Sequence, residues 1–138
     1  MPSASPPPSR RRSARRDLIR RVIIESEGPL TVKEIHERAQ EAIPGLGLAT
    51  VYRNIKTLLE DDEAIQPVVL PDGETRYEAA DLEHHHHFHC QVCGQVFDLE
   101  GCGVSIPDGS KLPGGFEVEA HELTLFGRCP GCRGKRRR

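Results

Sequence analysis

Five cysteines and seven histidines in 138 residues carry most of the chemistry open to this chain. Four of the cysteines form two Cys-x-x-Cys pairs, Cys90–Cys93 and Cys129–Cys132, separated by 35 residues. That spacing lets one tight turn offer two thiolates to one ion, and Zn²⁺ takes four soft ligands as a tetrahedron at about 2.3 Å. Two such turns close the shell and leave no position for a substrate. The expectation is therefore a structural zinc site. A redox dithiol is the alternative for either pair alone, but two matched pairs on a chain with a small core point to metal. Cys102 is left over, as a free thiol or a spare metal ligand.

Directly before the first pair runs "HHHHFHC", His84 to Cys90. The run is internal and flows into the cysteine pair, which argues against an appended tag. On an extended segment side chains alternate between two faces. His85, His87 and His89 then point one way, and His84 and His86 the other, so one strand can serve two ions. Imidazole suits Zn²⁺, Fe²⁺, Ni²⁺ and Cu²⁺, and carboxylates widen the choice toward Fe²⁺ and Mn²⁺. Glu78 and Asp98 are the nearby carboxylates, and His121 is available from a distant strand. The alternative is a solvated histidine tract. His36, on a helical stretch, reads as a surface histidine.

Enzymatic patterns are missing. A zinc hydrolase wants His-Glu-x-x-His, and "HELTL" lacks the second histidine. A nucleobase deaminase wants proline ahead of its Cys-x-x-Cys, and "RCPGC" puts it inside the pair. The chain is expected not to be an enzyme.

The elements that must position these residues fall into two groups. Residues 1–14 are rich in Pro, Ser and Arg and are expected to form a disordered basic arm. Leu18, Ile19, Val22 and Ile23 repeat at helical spacing until Gly28-Pro29. Thr31 and Glu34 form a capping-box signature ahead of Ile35, Ala39 and Ala42, which make the next apolar stripe. Val51, Ile55, Leu58 and Leu59 give one face of a third helix. The period then changes. "AIQPVVLPDGETRYEA" reads as a hairpin around Asp72-Gly73, with Pro67 suited to a sheet edge.

Three helices and a hairpin make a winged helix-turn-helix over 15–79. Residues 80–83 are a hinge candidate, and 84–138 read as strands around a Gly/Pro-rich stretch. Beyond His121 the alternation of "GFEVEAHELTLFGRC" slips, which predicts a bulge or bend. The fold class is α+β.

Only 36% of residues are hydrophobic and 4% aromatic. Two small cores are expected, helped by a metal or a partner subunit. No apolar run approaches the roughly 18 residues of a membrane span, and no secretory signal is visible, so a cytoplasmic location with reduced thiols is expected. The net charge of −2 hides segregation: residues 1–21 hold seven Arg and one Asp, and the tail "RGKRRR" adds five cations. Basic ends on an acidic middle fit either a nucleic-acid contact or solubilising tails.

The motifs "GLATVYRNIKTL", "HHHHFHCQVCGQVFDLE" and "HELTLFGRCPGC", in this order, resemble the ferric uptake regulator family of bacterial metal-dependent transcription repressors. The resemblance spans roughly residues 15–133. It implies a homodimer, with a winged helix for double-stranded DNA and a small α/β dimerisation and metal-binding domain over 84–138. It implies structural zinc on Cys90, Cys93, Cys129 and Cys132. It also implies a regulatory divalent metal on Glu78, His85, His87 and Asp98, and a further metal on His84, His86 and His121, with Cys102 as a candidate fourth ligand.

DNA contacts are implied at Tyr52 and Arg53, with Arg53 on a base edge or a phosphate; Thr50 and Lys56 are expected to make sequence-blind backbone contacts, and Arg15 and Arg16 are further candidate DNA contacts. Operators are expected to be palindromic and A·T-rich, with the Arg-rich arm in a minor groove. Departures from the family pattern concern the metal. Pro29-Leu30 stands where iron-type members carry a histidine. Gln66 and Ala79-Ala80 stand where zinc-type members carry Asp and Cys. His86 replaces a common Asp, and Glu100, Cys102 and Asp108 compete for the carboxylate of the further site. Histidine richness favours zinc over iron or manganese as the sensed metal. A zinc-ribbon adaptor or metal store without DNA function is the alternative of another class.

Overall fold

The computed structural model describes residues 4–5, 7–62, 64–101 and 106–134, with side chains 61 and 62 left out. The chain divides into two compact units, Met1–Asp81 and Leu82–Arg138. The cut falls inside the 80–83 stretch.

The first unit begins with α1, Pro8–Ile24. Its first turns lie within 1–14, the stretch that composition assigned to a disordered arm. Pro8 stands at the first helical position, where its fixed φ suits the helix and its missing N–H costs nothing. Arg and Ala are good helix formers, and Ile19 and Ile23, both buried, anchor the helix downstream. Helix α2, Val32–Gln40, starts at the predicted capping box. Glu34 N–H donates to Thr31 Oγ1 at 3.2 Å, and Thr31 N–H donates to Glu34 Oε1 at 3.1 Å.

Ile35 and Ala39 are buried, but Ala42 lies exposed beyond the helix end. Ile43 packs on the core in its place. Helix α3, Leu48–Thr57, buries Val51 and Ile55, then widens into a π turn over Leu58–Asp62 with Leu58 buried. His36 is half-buried rather than on the surface. Its Nε2–H donates to the Leu46 carbonyl at 2.7 Å and closes the turn between α2 and α3.

Strands β1, Ile65–Val69, and β2, Thr75–Ala79, pair antiparallel, with Val69 opposite Thr75. The turn differs from the expected two-residue Asp-Gly form. Pro71 and Asp72 are its central residues, closed by Gly73 N–H to the Leu70 carbonyl at 2.8 Å. Gly73 follows at φ +82°, a conformation that L side chains avoid. Proline's preset φ at the second turn position outcompetes the primed turn. Arg76 is buried beneath this loop and reaches Asp72 Oδ2 at 3.0 Å. Leu30 bridges Tyr77 on β2, which ties the wing to the start of the helix-turn-helix.

In the second unit β3, His86–Cys90, is the central strand of a three-stranded sheet. It pairs antiparallel with β4, Val96–Leu99, and parallel with β7, Thr124–Gly127. Parallel neighbours need a long connection, and here it holds the short hairpin of β5, Lys111–Leu112, and β6, Phe116–Glu117.

The break between β6 and β7 surrounds His121, where the alternation slips. The α/β description implied by the resemblance needs a helix here, but no α-helix occurs among the described residues of this unit. Gly101, Pro107, Gly109, Pro113, Gly114 and Gly115 punctuate the connection too densely for one. The α+β class holds for the chain as a whole, with its α-helices in the first unit.

Candidate metal centres

The four cysteines converge at the end of β3 and just beyond β7. Register places Cys90 opposite Gly127. A Cβ on Gly127 would meet the Phe88 ring at 3.1 Å, so glycine lets that ring pack beside the knuckle. The first turn closes with Gly94 N–H on the Cys90 carbonyl at 3.0 Å, and the second with Cys132 N–H on the Cys129 carbonyl at 2.9 Å. All four thiols are free of disulfides, and their sulfurs lie within 4.8 Å of one another, with Cys93 and Cys129 at 4.0 Å. A tetrahedral zinc shell with 2.3 Å bonds has sulfurs about 3.8 Å apart. The donor set and its size fit zinc.

The backbone also prepares this shell. Amide N–H groups, first that of Cys93, lower the Cys90 thiol to about 6 against the opposing effect of burial. Burial raises Cys93, and burial together with neighbouring sulfurs pushes Cys132 up to about 12. One thiolate forms readily, while Cys93 and Cys132 resist ionisation until a cation offsets the charge.

The histidine run is extended, and its faces separate as alternation requires. On one face His84, His86 and His121 bring their ring nitrogens together. His121 Nε2 lies 3.2 Å from His84 Nε2 and 3.2 Å from His86 Nε2. Three imidazoles on a tetrahedral zinc at 2.0–2.1 Å stand about 3.3–3.4 Å apart. Burial, then the neighbouring histidines beginning with His84, lower His86 from 6.5 and favour the neutral ring that ligates metal.

A cavity of about 330 Å³ adjoins this set and is lined by His84, His121, Asp108 and Glu119 among others. Asp108 therefore shares a cavity with His84 and His121, and Glu100 does not line it. Cys102 lies outside the described residues. Glu119 escaped the sequence reading. Its exposed position on an alternating stretch is ordinary for a surface carboxylate.

On the opposite face β3 and β4 set His87 directly across from Asp98. Asp98 Oδ1 lies 3.4 Å from His87 Nε2 and 3.6 Å from His85 Nε2. His85 Nδ1–H donates to the Glu83 carbonyl at 2.7 Å, which leaves Nε2 as the metal-ready nitrogen. The set is two imidazoles and a carboxylate, suited to Zn²⁺, Fe²⁺ or Mn²⁺. His89 shares the parity but stands beside the Phe126 ring, with centroids 5.8 Å apart, away from this set. In the first unit Glu78 is buried on β2, where the Gln66 amide donates to its Oε1 at 2.9 Å.

The residues implied for DNA sit on α3 and α1. Tyr52, Arg53 and Lys56 are exposed, and Thr50 is half-buried at the start of α3. Arg53 donates to Thr50 Oγ1 at 3.1 Å. Arg15 and Arg16 are half-buried on α1 and line a groove of about 500 Å³ together with Arg12 and Arg53. Arg12 was not singled out from the sequence, because the stretch around it was read as disordered.

Comparison with known proteins accords with this geometry. The sequence profile of the "Ferric uptake regulator family" matches residues 9–126. The ferric uptake regulation protein of Bacillus subtilis (strain 168) is 31% identical over 120 residues, 83% of this chain and 80% of the relative. The peroxide-responsive repressor PerR of Staphylococcus aureus (strain USA300) is 26% identical over 123 residues, 87% of this chain and 80% of the relative. Among solved structures, a zinc-bound manganese uptake regulator superposes with a TM-score of 0.67 at 26% identity, covering 87% of this chain and 94% of that one.

Proposed function

The chain belongs to the ferric uptake regulator family of metal-responsive regulators, and from that premise we propose that it is a metal-dependent DNA-binding transcriptional repressor acting as a homodimer in the cytoplasm. The observation that carries this reading is the division of the histidine run into two ligand sets on opposite faces of β3, beside a separate four-cysteine cluster.

The four cysteines hold structural zinc. His85, His87 and Asp98, joined by Glu78 from the first unit, hold the regulatory ion. Glu78 and His85 are separated by only the short 79–84 stretch, so a shared ion restrains residues 80–83 as a hinge. His84, His86 and His121 form the further site, with Cys102 or Asp108 as its fourth ligand. A bound divalent ion supplies cross-links that favour one arrangement of the units. Switching from 1:99 to 99:1 takes about 5.5 kcal/mol of preference for that arrangement.

Helix α3 is the DNA-reading helix. Tyr52, Arg53 and Lys56 are exposed on it, and Thr50 and Arg53 share a groove with Arg15 and Arg16 of α1. Palindromic operators then follow from pairing two recognition helices in a dimer, and their A·T-rich composition is carried over from the family resemblance. A second copy is supported by the exposed Leu125 and Phe126 on β7, an edge strand of its sheet, and by the exposed Leu112 and Phe116 on the separate β5–β6 hairpin. Among the described residues no helix is long and apolar enough to cross a membrane.

Zinc is the sensed metal in this reading, favoured by the histidine richness of both sets. The carboxylate of Asp98 between two imidazoles supports a second reading, Fe²⁺ or Mn²⁺, including peroxide sensing through iron. The test retains the structural zinc, strips labile metal and titrates Zn²⁺, Fe²⁺ and Mn²⁺ separately against binding to a duplex selected from a random pool. Zinc should give tight binding at the lowest free concentration. Binding that no metal alters would refute the metal-dependent repressor, and a protein that selects no duplex would leave the adaptor or metal-store reading.

A further inference from the structure

The stripe of α1 that is buried as Ile19 and Ile23 continues N-terminally as Arg12, Arg15 and Arg16. Positions 12, 16, 19 and 23 follow the spacing of one helix face, so the face that packs on the core becomes arginine beyond it. The α3 residues lining the same groove are Thr50, Arg53, Asn54 and Thr57, again one face by spacing. Four guanidiniums therefore open on one groove of about 500 Å³ between α1 and α3. Among the described residues Arg12, Arg15, Arg16 and Arg53 have no carboxylate partner.

Like charges gathered without acids are self-repelling, and the arrangement is relieved by an anion in the groove. Asn54 Nδ2–H donates to the Thr50 carbonyl at 2.8 Å, and Arg53 donates to Thr50 Oγ1, which turns the Arg53 side chain back along the helix. Tyr52 and Lys56 belong to a different face, displaced around the helix from positions 50, 53, 54 and 57, and they do not line the groove.

We infer that the groove between α1 and α3 is a phosphate clamp for the DNA backbone, in which Arg12, Arg15, Arg16 and Arg53 grip phosphodiester groups while Tyr52 and Lys56 face the bases. This inference rests on the DNA-binding reading above, assigns Arg53 to backbone positioning rather than base readout, and moves Lys56 from the expected backbone contact to the bases. It also replaces the flexible arm expected in a minor groove with a helical extension that tracks the strand. Phosphate contacts carry affinity and salt dependence but no sequence information.

The experiment uses the full-length, metal-loaded protein and fluorescence anisotropy, on the selected duplex and on variants of it with single base-pair changes, from 50 to 200 mM salt. Variants are Arg12→Gln, Arg15→Gln/Arg16→Gln and Arg53→Gln. Gln and Arg have similar helix propensity, and unchanged far-UV circular dichroism and melting verify folding. Each variant should weaken binding to all duplexes by the same factor. Every arginine–phosphate pair removed should shrink the fall in affinity over that salt range by about 3.5-fold, from a slope of about 0.9 per phosphate.

Tyr52→Ala should instead flatten the ranking of the duplex variants. Arg53→Gln that flattens the ranking at one base pair with an unchanged salt slope would overturn the clamp and make Arg53 a base reader. Unaltered binding by the α1 variants would overturn it as well. A wild-type protein that binds no duplex would refute the DNA-binding reading itself, a result distinct from these two.

Discussion

Replacing Cys132 with serine should unfold the second unit and leave the first intact. The buried cluster of Leu82–Arg138 is built around Cys90, Val92, Cys129 and Cys132, with Phe88 and Phe97 half-buried against it. Val92, Val96, Phe88 and Phe97, even if each were fully buried, would contribute at most about 12 kcal/mol. A structural zinc contributes about 10–16 kcal/mol, so the metal decides whether this unit folds. The first unit has its own core of nine buried Ile, Leu and Val side chains, from Ile19 to Ile65.

The assay is limited proteolysis with mass spectrometry, alongside zinc content and far-UV circular dichroism. Cys132→Ser should be digested throughout Leu82–Arg138, while a fragment ending near Asp81 survives. The helical signal should persist, because α1, α2 and α3 all lie in that fragment. A zinc-free Cys132→Ser protein whose second unit resists protease as well as the wild type would refute the reasoning.

Two further outcomes follow from the same geometry. Thr31→Ala removes half of the capping box at α2 and should destabilise the first unit by about 0.5–2 kcal/mol in chemical denaturation. With structural zinc kept and the histidines free of metal, acidification from about pH 7.5 to about pH 5.5 should lower the melting temperature of the second unit. The unfolded His86 titrates near 6.5 and the folded one below it, so the unfolded chain takes up the proton first. Stability is full above 6.5 and lost as pH falls below it, and His86→Gln should reduce that loss. An equal loss in His86→Gln would assign it to other groups.

What could be read from the sequence was whatever local chemistry and short periodicity determine. Thr31 and Glu34 announced the α2 cap because a capping box is complete within four residues. The alternation of the histidine run separated His85 and His87 from His84 and His86, since period two is a property of any extended strand. The partners across the sheet were harder. His121 joins its trio only because β7 lies parallel beside β3 after a long connection. Asp108 reaches the same cavity from a Gly/Pro-rich stretch with no period to follow, and Glu119 from an alternating stretch on which an exposed carboxylate carries no signal.

Composition misled at the N-terminus. Pro, Ser and Arg read as disorder, yet Pro8 at the first helical position and the anchors Ile19 and Ile23 extend α1 across Arg12, Arg15 and Arg16. Asp72-Gly73 also misled, because Pro71 moved the turn one residue toward the N-terminus.

The central claim is that opposite faces of β3 hold separate ions and that the face carrying His85 and His87 governs DNA binding. The most direct measurement titrates Zn²⁺ into protein that retains its structural zinc, and reads DNA binding for wild type, His85→Ala and His84→Ala. His85→Ala should raise the metal concentration needed for half-maximal binding by more than about 10-fold, since even an outer-shell partner costs that much. His84→Ala, whose ring meets His121 while that of His85 meets Asp98, should stay within about twofold of wild type. Equal shifts in the two variants, or a shift confined to His84→Ala, would contradict the account.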